Sequence, residues 1–120
     1  MAMFTVDQAR AELDRIRPVL ERFIAVRADA AELAAAHRGG AAPPGLGGIA
    51  ELKGAEALLD ELVTEIQDSG AQVKGLAPLL LDFPSRLHDD DVLLCWLEGD
   101  EGLDWYHRID LGFAGRRRLP

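Results

Sequence analysis

The chain has 120 residues, of which 48% are hydrophobic and 28% are charged, and its formal net charge is −8. This length suits one domain, and the composition is that of an ordinary globular protein. The negative charge argues against non-specific binding to nucleic acid or to an anionic membrane, because both require a positive field.

The single cysteine and the opening residues bear on where the protein works. One cysteine cannot form an internal disulfide, so a reducing cytoplasm fits best. We expect no secretory signal, because the opening residues lack a basic segment followed by an apolar one. No apolar run approaches the roughly 20 residues that span a bilayer. We therefore predict a soluble, cytoplasmic protein without a membrane segment.

The first predicted element is a long amphipathic helix over residues 5–37. Thr5 and Gln8 have the spacing of a capping box, in which each side chain accepts a bond from the other residue's backbone N–H. Apolar residues then recur at spacings of three and four, as one face of a helix requires. These residues are Ala9, Leu13, Ile16, Leu20 and Phe23. The apolar period continues in phase past Pro18, so we predict a kink within one helix rather than two helices.

A flexible loop and a second helix follow. Residues 38–48 contain five Gly and two Pro, which exclude regular structure. We expect a plain linker rather than a lid, and its replacement by a short Gly/Ser segment should change stability little. Residues 49–69 again show apolar residues at helical spacing, and Gly70 suits the left-handed position after a helix. Two helices of this kind pack naturally as an antiparallel hairpin.

The remaining residues, 71–120, predict a small sheet and a C-terminal tail. Residues 91–97 (DVLLCWL) are apolar on both faces, which indicates a central strand. Residues 103–109 alternate between apolar and polar, which is typical of a half-buried strand. The predicted fold is therefore α+β: a long antiparallel helical hairpin followed by a small antiparallel β-sheet, in a single domain over residues 1–120.

An acidic turn over residues 98–102 fixes the predicted pairing of these two strands. It sets Cys95 opposite Trp105 and Leu93 opposite His107, so that all four side chains share one face. Cys95 and His107 are then diagonal neighbours with Cα atoms ~7–8 Å apart, which two side chains can bridge.

Cys95 and His107 on a mostly apolar face permit three interpretations. They are ligands of a metal such as zinc or iron, joined by Asp82, His88 or Asp110. They are a nucleophile and its base. Or they are a buried thiol and a core histidine, whose ring N–H needs a backbone carbonyl, Asp82 or a ligand as partner.

Other candidate binding residues flank this hairpin. Asp82 and Arg86 lie on either side of a proline, where we expect a turn whose two charges line one rim or form an ion pair. Trp105 offers an aromatic wall. Arg116 ends a Gly-flanked Phe motif that either holds an anion or closes the edge of the sheet.

Several short motifs together resemble a family of bacterial proteins, the domain of unknown function 2203. The motifs are Arg17-Pro18, Val73-Lys74, DFPS at residues 82–85, Cys95-Trp96, Trp105-Tyr106-His107 and GFAGR at residues 112–116. The family more often has Tyr-Trp-His where this chain has Trp-Tyr-His, which bears on which aromatic ring faces inward. The resemblance implies a single domain and brings no activity with it.

Two functions fit these observations. The first is a binding or assembly module, a homodimer through its helices, whose C-terminal sheet presents a small polar and aromatic pocket for a small molecule or metal. The alternative is a small metal-dependent or Cys-dependent enzyme using Cys95 and His107. Asp82 would orient the reacting groups there, and Arg86 or Arg116 would hold an anionic group.

Overall fold

A computed structural model describes residues 3–39 and 48–120. Within these described ranges, two helices precede five strands and a short 3-10 helix. The bounds are α1 Val6–Arg38, α2 Ile49–Asp68, β1 Gln72–Leu76, β2 Leu79–Leu87, β3 Asp90–Leu97, β4 Trp105–Arg108, the 3-10 helix Phe113–Gly115 and β5 Arg117–Arg118. The predicted α+β fold, a helical hairpin followed by an antiparallel sheet, is confirmed. Neither described helix has the length and apolarity needed to cross a membrane.

The chain divides into two compact units. One contains the residues up to Ile16 together with Ile66–Pro120, and the other contains Arg17–Glu65. The first unit carries the whole sheet with the start of α1, and the second carries most of both helices. The single domain over residues 1–120 stays a prediction.

Helix α1 begins at the predicted capping box. The Thr5 backbone N donates to Gln8 Oε1 at 2.9 Å, and the Gln8 backbone N donates to Thr5 Oγ1 at 3.1 Å. These bonds satisfy two N–H groups that the first turn leaves without partners. The helix passes Pro18 without ending, as predicted. The prediction for the Gly/Pro loop falls mostly on residues 40–47, which lie outside the described residues.

Helix α2 ends as the sequence predicts, and the chain then enters the sheet. Gly70 has φ 95°, a left-handed conformation that a side chain would strain. The five strands lie in the order β1-β2-β3-β4-β5, and each neighbouring pair is antiparallel. Strand β3 is therefore central, as its apolar sequence predicts.

The structure corrects the prediction of a turn between Asp82 and Arg86. These residues belong to β2, and Pro84 pairs with Leu93 inside the ladder. The Phe4 backbone N donates to the Pro84 carbonyl at 2.8 Å, so the Pro84 peptide groups face away from β3. A proline is tolerated there because the hydrogen that it lacks would not have bonded β3.

Strand β4 is shorter than predicted. It covers Trp105–Arg108, whereas the alternating pattern extends over residues 103–109. The Leu103 carbonyl accepts a bond from Arg10 Nε at 3.2 Å, and the Asp104 carbonyl accepts one from the Leu119 backbone N at 2.8 Å. Both carbonyls thus bond partners outside the β3–β4 ladder, so the alternating side-chain pattern predicts a longer strand than the backbone forms.

The two faces of the sheet differ in chemistry. One face is apolar and buried, and the Phe4 ring packs edge-on against Phe83 with centroids 5.5 Å apart. The buried apolar residues of this face are Leu79, Leu81, Phe83, Val92, Leu94 and Trp96. The opposite face carries the candidate site residues Asp82, Cys95 and His107. Strand β5 pairs with β4, so the C-terminal residues close this edge of the sheet, as one interpretation predicted.

Candidate metal centre

Three buried polar side chains meet on the polar face of the sheet. They are Asp82, Cys95 and His107, which we call the buried cluster. Their exposed fractions are 3%, 0% and 3%. A carboxylate oxygen, the Cys95 sulfur and a His107 ring nitrogen all lie within 4.8 Å of one another. Such a set is uncommon in a core, because buried polar groups carry a desolvation cost unless they are bonded.

Strand register produces the buried cluster. Asp82 lies directly opposite Cys95 in the β2–β3 ladder, and Cys95 lies directly opposite Trp105 in the β3–β4 ladder. His107 lies two residues beyond Trp105, so it is the diagonal neighbour of Cys95 on the same face. The predicted register, the shared face and the burial of His107 are therefore confirmed.

Both ring nitrogens of His107 face acceptor atoms. Nδ1 lies 2.9 Å from the Arg108 carbonyl oxygen, and Nε2 lies 3.2 and 3.3 Å from the two Asp82 carboxylate oxygens. A carbonyl can only accept, so Nδ1 carries a proton. The Nε2–carboxylate contact needs one further proton, either on the ring or on Asp82. The pair has zero net charge in both forms.

The Cys95 thiol is held in its protonated form. Its pKa is raised from 9.0 to about 12, chiefly by burial and next by the neighbouring Asp82 carboxylate. The thiolate is the nucleophilic form of cysteine, and at neutral pH this environment suppresses it. Cysteine-dependent catalysis is therefore disfavoured in the metal-free protein. A cation beside the sulfur would stabilise the thiolate and so offset the effect of burial.

The structure does not bring the other proposed ligands to the buried cluster. His88 is exposed in the two-residue turn between β2 and β3, where it has φ 50°. Asp110 is exposed and pairs with Arg108 at 2.9 Å. Arg86 is also exposed and pairs with Asp91 of the neighbouring strand at 3.0 Å, so it does not line a rim with the buried Asp82.

Trp105 and Arg116 form a separate contact that fixes the C-terminal segment. The Arg116 guanidinium lies 4.5 Å from the centre of the Trp105 ring and 5.3 Å from that of Phe113. It also forms an ion pair with Asp100. Arg118 stacks on the same indole at 5.3 Å. Arg116 is therefore engaged within the chain, and its role here is to anchor residues near β4.

A cleft of about 270 Å³ lies over the buried cluster. Its wall includes Asp82 and His107, whereas Cys95 is fully buried and does not line it. The cleft is lined by Lys74, Leu80, Asp82, Leu93, His107, Ile109, Gly112 and Phe113. Two polar cluster members thus face a mostly apolar opening, which is the usual chemistry of a small-molecule site.

Lys74 lines this cleft, although the sequence does not indicate it as part of the site. The pairing of β1 with β2 shifts between Val73 and Gly75, so Lys74 occupies a β-bulge. A bulge places two residues of one strand opposite one residue of its partner, and it often re-aims a side chain next to a functional site. The following Gly75 is the only local signal of this irregularity.

Comparison with known proteins gives a family. Residues 2–119 match the family described as "Uncharacterized conserved protein (DUF2203)". Searches of the curated proteins and of the solved structures found no significant match. Because the match extends over nearly the whole length, the chain belongs to the DUF2203 family.

Proposed function

We propose that the protein is a metal-binding module in which Asp82, Cys95 and His107 hold one divalent transition-metal ion, with zinc the best fit. The observation that carries this proposal is the convergence of the three donor atoms within 4.8 Å in a buried site. Thiolate, imidazole and carboxylate are the three side-chain donors of zinc sites. The soft sulfur ligand argues against magnesium and calcium.

The hydrogen bonds of His107 support this role. Its Nδ1 donates to the Arg108 carbonyl, which leaves Nε2 directed at the Asp82 carboxylate. Ligating histidines commonly donate their second N–H to a carbonyl or carboxylate, because this bond fixes the tautomer and the ring orientation. In a tetrahedral zinc site, neighbouring donor atoms are about 3.5 Å apart, so the buried cluster would need shifts of about 1 Å at most.

Charge balance also favours a divalent ion. Without metal, the Asp82–His107 pair and the Cys95 thiol together carry zero net charge. A divalent ion bound to a carboxylate, a thiolate and a neutral imidazole also gives zero net charge. Binding therefore exchanges two protons for one dication, and it introduces no uncompensated charge into a buried site.

The number of ligands bears on whether the module is also an enzyme. Three protein ligands leave one position of a tetrahedral ion open, which is the pattern of catalytic rather than structural zinc. The cleft gives a small molecule access to the Asp82 and His107 side of the cluster. A metal-dependent enzyme is thus the second candidate, and the raised pKa of Cys95 argues against a cysteine nucleophile in its place.

Elemental analysis tests the proposed metal centre. We expect close to one zinc or iron ion per chain in protein purified without a metal-affinity tag. The Cys95→Ala variant should lose this ion, because the thiolate supplies both a ligand and a compensating charge. Wild-type protein that contains no metal, and that takes up none when dialysed against zinc, would contradict the proposal.

The free thiol is relevant to the cellular compartment. A cysteine can act as a metal ligand only while it is reduced, so the proposed centre suits a reducing compartment. This agrees with the cytoplasmic location that we propose from the single cysteine.

We also propose that the protein forms a homodimer through its helices. Val19, Val26, Leu58 and Val63 are half-buried within the chain, and a symmetric partner would cover their remaining apolar surface. Phe23, on the predicted apolar face of α1, is already buried at 2% exposure, so it would contribute little to the dimer surface. We expect the mass of a dimer by light scattering at micromolar concentration, and a monomer mass would refute this proposal.

A further inference from the structure

The cleft over the buried cluster has an exposed apolar rim. Ile109 and Phe113 are 57% and 43% exposed, although both are large hydrophobic residues. Both line the cleft, together with the less exposed Leu80 and Leu93. Grouped exposed apolar side chains commonly mark a binding surface, because a ligand with an apolar body removes them from water. The body of a ligand at this site should therefore be apolar.

Lys74 gives the same cleft one positive charge. The bulge in β1 puts this residue beside Leu80 and Asp82 in the lining, and none of the ion pairs among the described residues includes it. The chain has two lysines, and the other, Lys53, lies 3.8 Å from Glu56 in an ion pair on α2. An ammonium without an internal partner, in the same cleft as two ligands of the proposed metal ion, favours an anionic head group.

We propose that the cleft binds a small monocarboxylate with an apolar body. Its carboxylate occupies the open position of the metal ion and bonds Lys74, and its body lies against Ile109 and Phe113. This inference rests on the proposed metal centre, because the head group takes the position that the three protein ligands leave open. The cleft volume of about 270 Å³ restricts the ligand to a short molecule.

Calorimetric titration of the zinc-loaded protein with two matched ligand series tests the class of ligand. The carboxylates are acetate, butyrate and hexanoate, and the neutral controls are ethanol, butanol and hexanol. We expect carboxylate affinity to rise about fourfold for each methylene buried. Each carboxylate should bind about tenfold more tightly than its alcohol, because only the carboxylate gains a charge-assisted bond to Lys74. Equal affinity for the two series, or affinity independent of chain length, would overturn the inference.

Lysine variants test the position of the head group. Lys74→Met removes the charge and keeps an apolar chain, so it should lower carboxylate affinity about tenfold and leave alcohol binding unchanged. Lys53→Met is the matched control and should bind like the wild type. A Lys74→Met variant with wild-type carboxylate affinity would overturn the inference.

The zinc content of each sample separates the two proposals. Protein that holds zinc but does not distinguish carboxylates from alcohols contradicts the ligand class and leaves the metal centre in place. Protein that takes up no zinc contradicts the metal centre, and the ligand inference fails with it.

Discussion

Replacing His107 with alanine should lower zinc affinity by more than about 100-fold. Loss of a residue that merely orients a ligand costs about 10- to 100-fold in metal affinity, and loss of a ligand itself should exceed that range. His107 also balances Asp82 within a buried site, so its removal leaves a carboxylate without its 3.2 Å partner. Competition with a chromophoric chelator at neutral pH measures the change in affinity.

His88→Ala is the matched control for this experiment. His88 is exposed in the turn between β2 and β3 and does not belong to the buried cluster, so this variant should bind zinc like the wild type. Because His107 is buried, its alanine variant should also be checked for folding by circular dichroism.

If His107→Ala fails to fold, Cys95→Ala tests the same centre with a smaller loss of packing. Wild-type zinc affinity in a folded His107→Ala or Cys95→Ala variant, or an equal loss in His88→Ala, would count against the assignment.

The β3–β4 half of the buried cluster could be predicted from the sequence. A strand that is apolar on both faces, a short acidic turn and an alternating strand fix one register, in which Cys95 and His107 share a face. This inference needs only local pattern and chain geometry. The capping box at Thr5 and the left-handed Gly70 are predictable for the same reason, because their partners lie within a few residues.

The contribution of β2 could be predicted only in part. Asp82 was a candidate partner of His107, but the proline at position 84 indicated a turn, which concealed the direct pairing of Asp82 with Cys95. Whether a ladder tolerates a proline depends on which way its nitrogen faces, and the bond from the Phe4 backbone N to the Pro84 carbonyl reveals this only in three dimensions. The bulge at Lys74 is similarly a property of paired strands.

The alkaline stability of the metal-free protein should depend strongly on Cys95. The pKa of this thiol is raised from 9.0 to about 12 in the folded protein, chiefly by burial. Above pH 9 the thiol of the unfolded chain loses its proton, whereas the folded protein keeps it until about pH 12. The unfolded state then binds fewer protons, so the free energy of unfolding falls as the pH rises.

The expected size of this effect follows from the raised pKa. Below pH 9 the contribution of the protonated Cys95 thiol to the free energy of unfolding is fully present. Above pH 9 it should decline by about 1.4 kcal/mol per pH unit until about pH 12, a total of about 4 kcal/mol. Urea unfolding with added chelator, at pH 8.5 and at pH 10.5, should therefore show a loss of about 2 kcal/mol from Cys95.

Cys95→Val isolates this contribution, because valine has a similar size and does not ionise. The other groups that titrate at high pH are common to both proteins, so they cancel in the difference between the two pH slopes. The wild type should lose stability more steeply than the variant over this interval. Parallel slopes would mean that the thiol ionises as readily in the folded protein as in the unfolded chain. Burial would then not hold the proton on Cys95, and the thiolate would be no harder to form at this site than in the unfolded chain.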